Sequence, residues 1–236
     1  FIAKIGGKNF LLNDSWAPMN VPPSYGILPM IIGSVMITFL SCVAAVPISI
    51  MVACYLAFDC PNKIYRILKP ALNLMTGIPS IVYGFFALTI IVPINRSIFG
   101  GTGMNMLSAA ILLLIMILPT IISMAESSLR TVPKSFYQGS LSLGATHDET
   151  ITRVMVPAAK SGIFAGIILG VGRAIGETMA VILVAGNQTR LTFNPLKGVR
   201  TMTTNIVMEM AYAAGEHRQA LIATAAVLFI FILIIN

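Results

Sequence analysis

Apolar residues gather into long runs separated by short polar breaks, and the runs set the expected elements. Leu28 to Phe58 predicts a first spanning helix, kinked by Pro47 and longer than the ~20 apolar residues a bilayer requires. Ala71 to Ile94, interrupted by Gly77, Pro79 and Pro93, predicts a second, and Met106 to Ala125 a third. Ser161 to Gly186 predicts a fourth, and Gln219 to Ile235 begins a fifth. No run shows the alternation over about ten residues that a barrel strand carries. Only helices and closed barrels satisfy the backbone in lipid, so the pattern predicts an all-α polytopic membrane bundle of about five spans.

The polar breaks give a topology. Residues 1–24, broken by Pro18, Pro22 and Pro23, are expected to form an N-terminal periplasmic or interfacial segment, and residues 25–236 the transmembrane domain. Trp16 and Tyr25 suit an interfacial aromatic belt. Asp59 to Pro70 holds Lys63, Arg66 and Lys69 and reads as a short cytoplasmic connection; residues 126–160 read as a long cytoplasmic loop. Asn95 to Asn105, with Arg96 alone, belongs outside. Counting Lys4 and Lys8, the two sides carry equal numbers of Lys and Arg, so the cations nearest the helix ends decide the orientation. Gln188 to Glu216, with Arg190, Lys197 and Arg200, is either an ordinary outer loop or a basic vestibule that concentrates an anion. Its Thr201 to Tyr212 portion has helical period but is too short and polar to span, which suits a re-entrant or interfacial helix. Glu126 and Glu209 fall at expected membrane edges.

Composition agrees with the pattern: 57% of residues are hydrophobic and 10% charged, against roughly 25% charged in a soluble domain. Mean hydropathy is +0.90. The net charge of +7 sits in short loops, and no basic soluble domain exists to bind nucleic acid. Cys42, Cys54 and Cys60 lack metal or disulfide spacing, and the first two are expected to be buried, inert thiols. His147 and His217 stand alone, so no metal site is expected. The chain starts at Phe1 and stops at Asn236 within an apolar run, as a fragment lacking a first membrane helix would.

The chemistry concentrates between Gly162 and Asn187. Arg173 and Glu177 lie near the middle of an apolar run, where each charge costs roughly 2.5–3.5 kcal/mol on insertion scales. Their spacing of four puts both on one helix face, either as a buried pair that fixes packing or as the lining of a polar path. Arg173 offers a planar fork of donors that suits a tetrahedral oxyanion. Gly162, Gly166 and Gly170 form a smooth stripe for close helix approach, and Gly172 and Gly176 a second strip beside the charges. Pro79 and Pro119 read as kinks; Thr76, Ser80 and Tyr83 offer hydroxyl donors.

A second constellation precedes it. Gln138-Gly139-Ser140, then Gly144, nine residues, and Val154-Met155-Val156-Pro157 predict a short amphipathic helix over Ser142 to Thr152, with Pro157 fixing where the next helix begins. This spacing resembles the signature loop of permease subunits of ABC importers, Glu-Ala-Ala, three residues, Gly, nine residues, Ile-x-Leu-Pro. Here Gln138 stands where the family has Glu. The resemblance implies an ATPase coupling loop in which Gln138, Gly144, Ala145, Thr146, Val154 and Pro157 take part.

Gly172-Arg-Ala-Ile-Gly-Glu-Thr-Met-Ala-Val181, closing with Val184-Ala-Gly-Asn187, is similar to the permease of the phosphate-specific (Pst) importer, PstC-type, of the MetI-like permease family. Gly77-Ile-Pro-Ser-Ile-Val-Tyr-Gly84 resembles a second stretch of that family. The resemblance implies a path for inorganic phosphate through a bacterial or archaeal cytoplasmic (inner) membrane. It implies four kinds of partner: a PstA-type second permease, PstB-type ATPase subunits, a PstS-type phosphate-binding protein, and lipid. The chain has no phosphate-binding Gly-x-x-x-x-Gly-Lys-Ser/Thr loop, so it is not expected to be an enzyme or to bind a cofactor; ATP would be used by the partner. Sulfate or molybdate as cargo, and an ion-coupled secondary transporter, remain the alternatives.

Overall fold

The computed structural model describes residues 6–235; Phe1, Lys4 and Asn236 lie outside the described residues. A short helix α1 (Gly7–Leu12) and a two-residue hairpin, β1 (Trp16–Ala17) against antiparallel β2 (Ser24–Tyr25), precede the long helices. These are α2 (Leu28–Asp59), α3 (Asn62–Gly77), α4 (Ser80–Phe99) and α5 (Met106–Thr131). Next come α6 (Lys134–Ser142), α7 (His147–Ala158), α8 (Lys160–Gly176) and α9 (Met179–Val184). Last are α10 (Met202–Met210) and α11 (Gly215–Ile235). Among the described residues 4 helices are long and apolar enough to cross a membrane, α2, α4, α5 and α11, or 5 if α7 and α8, bent by 71°, count as one.

Local chemistry moved three expected boundaries. The second span is Ser80–Phe99, not Ala71 to Ile94, because Ile78 precedes Pro79 and leaves the helical region (φ −70°, ψ 130°). Residues 62–77 instead form a separate amphipathic helix with no buried residue. The fourth span is broken: α8 stops at Gly176, Thr178 takes φ −123° and ψ −59°, and α9 begins at Met179. In the loop, helix occupies 134–142 and 147–158 rather than 142–152. Gly144 turns at φ +87°, and the Thr146–Glu149 capping box starts α7. Pro157 lies within α7; the next helix begins at Lys160.

Contacts divide the chain into two compact units. One runs up to Ser41 and takes Pro79–Leu113 and the chain from Gly172 onward. Its core gathers Phe10, Trp16, Tyr25, Ile27, Met30, Met202, Ala220 and Leu221, so Trp16 and Tyr25 are buried rather than forming an interfacial belt. Here α9 packs on the start of α4, where a Cβ on Gly84 would lie 2.8 Å from Leu183 Cδ1 and 3.0 Å from Ala180 Cα. The first amides of α5, which no helical turn can satisfy, donate to Lys197 O (3.0 Å) and Pro195 O (2.9 Å).

The other unit is Cys42–Ile78 with Leu114–Val171, around Ala53, Ala125, Leu129, Met155, Ala159 and Ile163. Here α8 lies close against α5. A Cβ on Gly162 would overlap Ser128 Oγ; one on Gly166 would stand 2.8 Å from Met124 Cβ, and one on Gly170 2.8 Å from Ile121 Cγ1. Gly176, by contrast, faces open space, so the second strip expected of Gly172 and Gly176 has no neighbour there. Cys42 and Cys54 are half-buried rather than buried. Overpacking a tight contact costs roughly 1–3 kcal/mol. Gly166→Val should therefore lower the melting temperature of the purified protein, whereas the same change at Gly176 should leave it unmoved.

Candidate functional site

Arg173 occupies the last turn of α8. It belongs to the same unit as the buried Tyr83 of α4. Glu177 lies one residue past the end of α8, so the helix expected to run on from Arg173 is interrupted there. The cause is capping: Glu177 Oε1 accepts from Ala180 N at 3.1 Å, at the start of α9, while Glu177 O accepts from Thr203 Oγ1 at 2.9 Å. Those bonds satisfy the main chain where the helix is interrupted. Irregular backbone at membrane depth is tolerated where protein or a polar cavity meets it. The arrangement is an Arg beside an unwound, polar two-residue break, with a short helix starting after it. Of the other expected donors, Thr76 Oγ1 is turned to Asn73 O (2.6 Å), within its own helix.

The hydroxyl of Thr203 belongs to α10, the short helix read as re-entrant or interfacial. Thr201 caps it, and its inward residues Thr203, Thr204, Asn205 and Glu209 are all buried. Glu209 is thus enclosed by protein. It is a three-donor hub: Oε1 accepts from Arg200 Nη1 at 2.5 Å, and Oε2 from Trp16 Nε1 at 2.9 Å and His217 Nε2 at 2.8 Å. Arg200 also reaches Asn205 Oδ1 at 3.0 Å and Asn187 O at 3.1 Å. Arg200 is thus neutralised in this structure, which subtracts it from the basic vestibule expected of the 188–216 segment.

A matching hub stands in the other unit. Glu126, 1% exposed, binds Lys69 Nζ at 2.6 Å, Arg130 Nε at 2.7 Å and Tyr65 OH at 2.8 Å. Arg130 extends to Leu56 O at 2.6 Å and lies over the Tyr65 ring, 4.7 Å from its centroid. Accepting the phenol's hydrogen bond, Glu126 raises the Tyr65 pKa above its ordinary value; burial adds to the shift. Nor does His147 stand alone: its Nε2 lies 2.6 Å from Asp59 Oδ1 and its Nδ1 2.6 Å from Tyr137 OH. That triad ties the start of α7 to α6 and to the last residue of α2. Gln138, Tyr137 and His147 line a recess of ≈ 340 Å³ with Arg130 and Lys134.

Sequence reasoning missed both carboxylate hubs. Only the Glu126–Arg130 spacing of four carried a local signal. Trp16, Arg200, Glu209 and His217 are scattered along the chain, and no periodicity joins them.

A family model described as the binding-protein-dependent transport system inner membrane component matches residues 45–236. The probable ABC transporter permease protein YqgH of Bacillus subtilis is 41% identical over 204 residues, which is 86% of this chain and 66% of that protein. The phosphate transport system permease protein PstC of Mesorhizobium japonicum is 32% identical over 97% of this chain and 76% of its own length. The chain thus spans roughly two thirds to three quarters of these relatives. Among solved structures, an inward-facing MetNI methionine ABC transporter superposes with a TM-score of 0.71 at 20% identity, covering 89% of this chain and 90% of the other. At that identity the likeness shows the fold: a MetI-type helical permease.

Proposed function

The chain belongs to the family of inner membrane components of binding-protein-dependent transport systems, and from that premise we propose that it is the PstC-type permease of an ATP-driven phosphate importer. The observation that carries the substrate is its similarity, over nearly its whole length, to permeases of phosphate transport systems. Members of this family work with a second permease, an ATPase and a substrate-binding protein. In the present reading these are PstA-, PstB- and PstS-type chains, and ATP is bound by the ATPase alone.

The residues take the following parts. The segment from Gln138 to Pro157 meets the ATPase. Within it Gly144 is the pivot, Ala145 and Thr146 lead into the cap of α7, and Val154 and Pro157 lie on α7 itself. The Tyr137–His147–Asp59 triad makes α6, α7 and the end of α2 move as one body. From α7 the chain passes through the 71° bend into α8, which carries Arg173. At the break that follows, the guanidinium offers paired donors to a tetrahedral oxyanion. Glu177, held at the start of α9, places a negative charge nearby that opposes tight retention.

The test is reconstitution of the four components in proteoliposomes. Phosphate uptake is expected to require ATP, the ATPase and the binding protein. Uptake that persists without the ATPase and collapses with an uncoupler would overturn the reading in favour of ion coupling. Preferential uptake of sulfate or molybdate would keep the importer and replace its cargo.

A further inference from the structure

We propose that Arg200, with Asn205 and the hydroxyls of Thr201 and Thr203, forms a second oxyanion station, at which phosphate takes the place that Glu209 holds in this structure. The inference rests on the phosphate-permease reading above and adds a site to it.

Three observations carry it. The first is that Arg200 and Glu209 can part without leaving either bare. Glu209 Oε2 keeps Trp16 Nε1 and His217 Nε2, and Arg200 Nε keeps Asn187 O. A buried carboxylate that lost all its donors would be strongly destabilising; this one would lose one of three. The guanidinium can exchange one oxyanion for another while its Nε remains anchored.

The second is an unspent donor. Asn205 is 0% exposed, its Oδ1 accepts from Arg200, and its Nδ2 has no partner. A buried polar atom left unsatisfied calls for an explanation. An amide N–H beside a guanidinium is a second donor for a phosphate oxygen. Asn187, whose carbonyl also accepts from Arg200, carries a buried unpartnered acceptor, Oδ1. Singly or doubly protonated phosphate brings an O–H that can meet it, whereas fully ionised sulfate has none.

The third is continuity with the path. Thr201 Oγ1 and Thr203 Oγ1 are 2.9 Å apart, and Thr203 Oγ1 donates to Glu177 O, at the break that follows Arg173. Two hydroxyls thus lead from Thr201, the residue after Arg200, to the break that follows Arg173.

The experiment uses the complete complex in proteoliposomes and radiolabelled phosphate. Arg200→Gln combined with Glu209→Gln removes both charges, so neither is left buried alone. Assembly is expected to persist while uptake falls at least about tenfold, the loss of one charged hydrogen bond. Glu209→Gln alone frees the cation. The detergent-purified permease–ATPase complex carrying it, without the binding protein, should retain several-fold more phosphate than wild type, and excess sulfate should not displace it. A packing role would produce no such gain. Wild-type uptake in the assembled double variant, or no added retention in Glu209→Gln, would overturn the proposal. If the double variant does not assemble, Thr203→Val decides: unchanged uptake sinks the station. A wild-type complex that carries no phosphate would instead refute the phosphate-permease reading, and the station with it.

Discussion

Replacing Arg173 by glutamine is expected to abolish ATP-driven phosphate uptake, by roughly a hundredfold or more, while the complex still assembles. Glutamine keeps a donor on a shorter side chain but removes the charge and the fork, and charge-assisted bonds to an oxyanion are about twice as strong as neutral ones. Arg173 sits at the end of α8, where the helical ladder already stops, so the substitution disturbs no regular turn beyond it. Uptake of labelled phosphate and co-purification of the partner subunits are the two measurements. Loss of assembly with loss of uptake would assign Arg173 to packing. Lysine at the same position should recover part of the flux, because it restores the charge but not the planar pair of donors.

The Glu126 hub yields the largest expected effect on stability, and its size depends on which partner is removed. Lys69→Met with Arg130→Met leaves a carboxylate that is 1% exposed with Tyr65 as its remaining side-chain donor. Breaking a buried pair in that way costs roughly 3–5 kcal/mol. Glu126→Gln should cost less: Lys69 and Arg130 are 27% and 45% exposed in their side chains, so water can take over their charges. The expected order of melting temperatures is wild type, then Glu126→Gln, then the double cation variant. An inverted order would mean that the cations, not the carboxylate, are the dehydrated partners.

Much of this architecture was legible in the chain. The first, third and fifth spans were found with shifts at their ends, because a bilayer demands about 20 apolar residues and these runs supply them without a break. The stripe Gly162, Gly166, Gly170 pointed to a close helix neighbour, though not to Ser128, Met124 and Ile121 as its surface. The misplacements share a cause. A hydropathy run cannot reveal a break that other parts of the chain make affordable. Pro79 separates α3 from α4, and the break at Glu177 is held by Ala180 and by Thr203, a residue 26 positions away. Likewise a Glu at the edge of an apolar run looks interfacial until its donors arrive from elsewhere, as Lys69 and Tyr65 do for Glu126.

By itself, then, the sequence determined that this is a helical membrane permease, where it holds its loop of Gly144 and Pro157, and that Arg173 is an unusual cation in an apolar run. Hydrophobic transfer is a local sum over residues, and motif spacing is covalent, so both can be read along a single strand of text. Tertiary structure alone decided that α8 ends before Glu177, whose carboxylate accepts from Ala180 N of α9, and that Trp16, Arg200 and His217 converge on Glu209. Hydrogen bonds are short and directional, and their partners here are brought together from far apart in the chain by packing that no periodicity encodes.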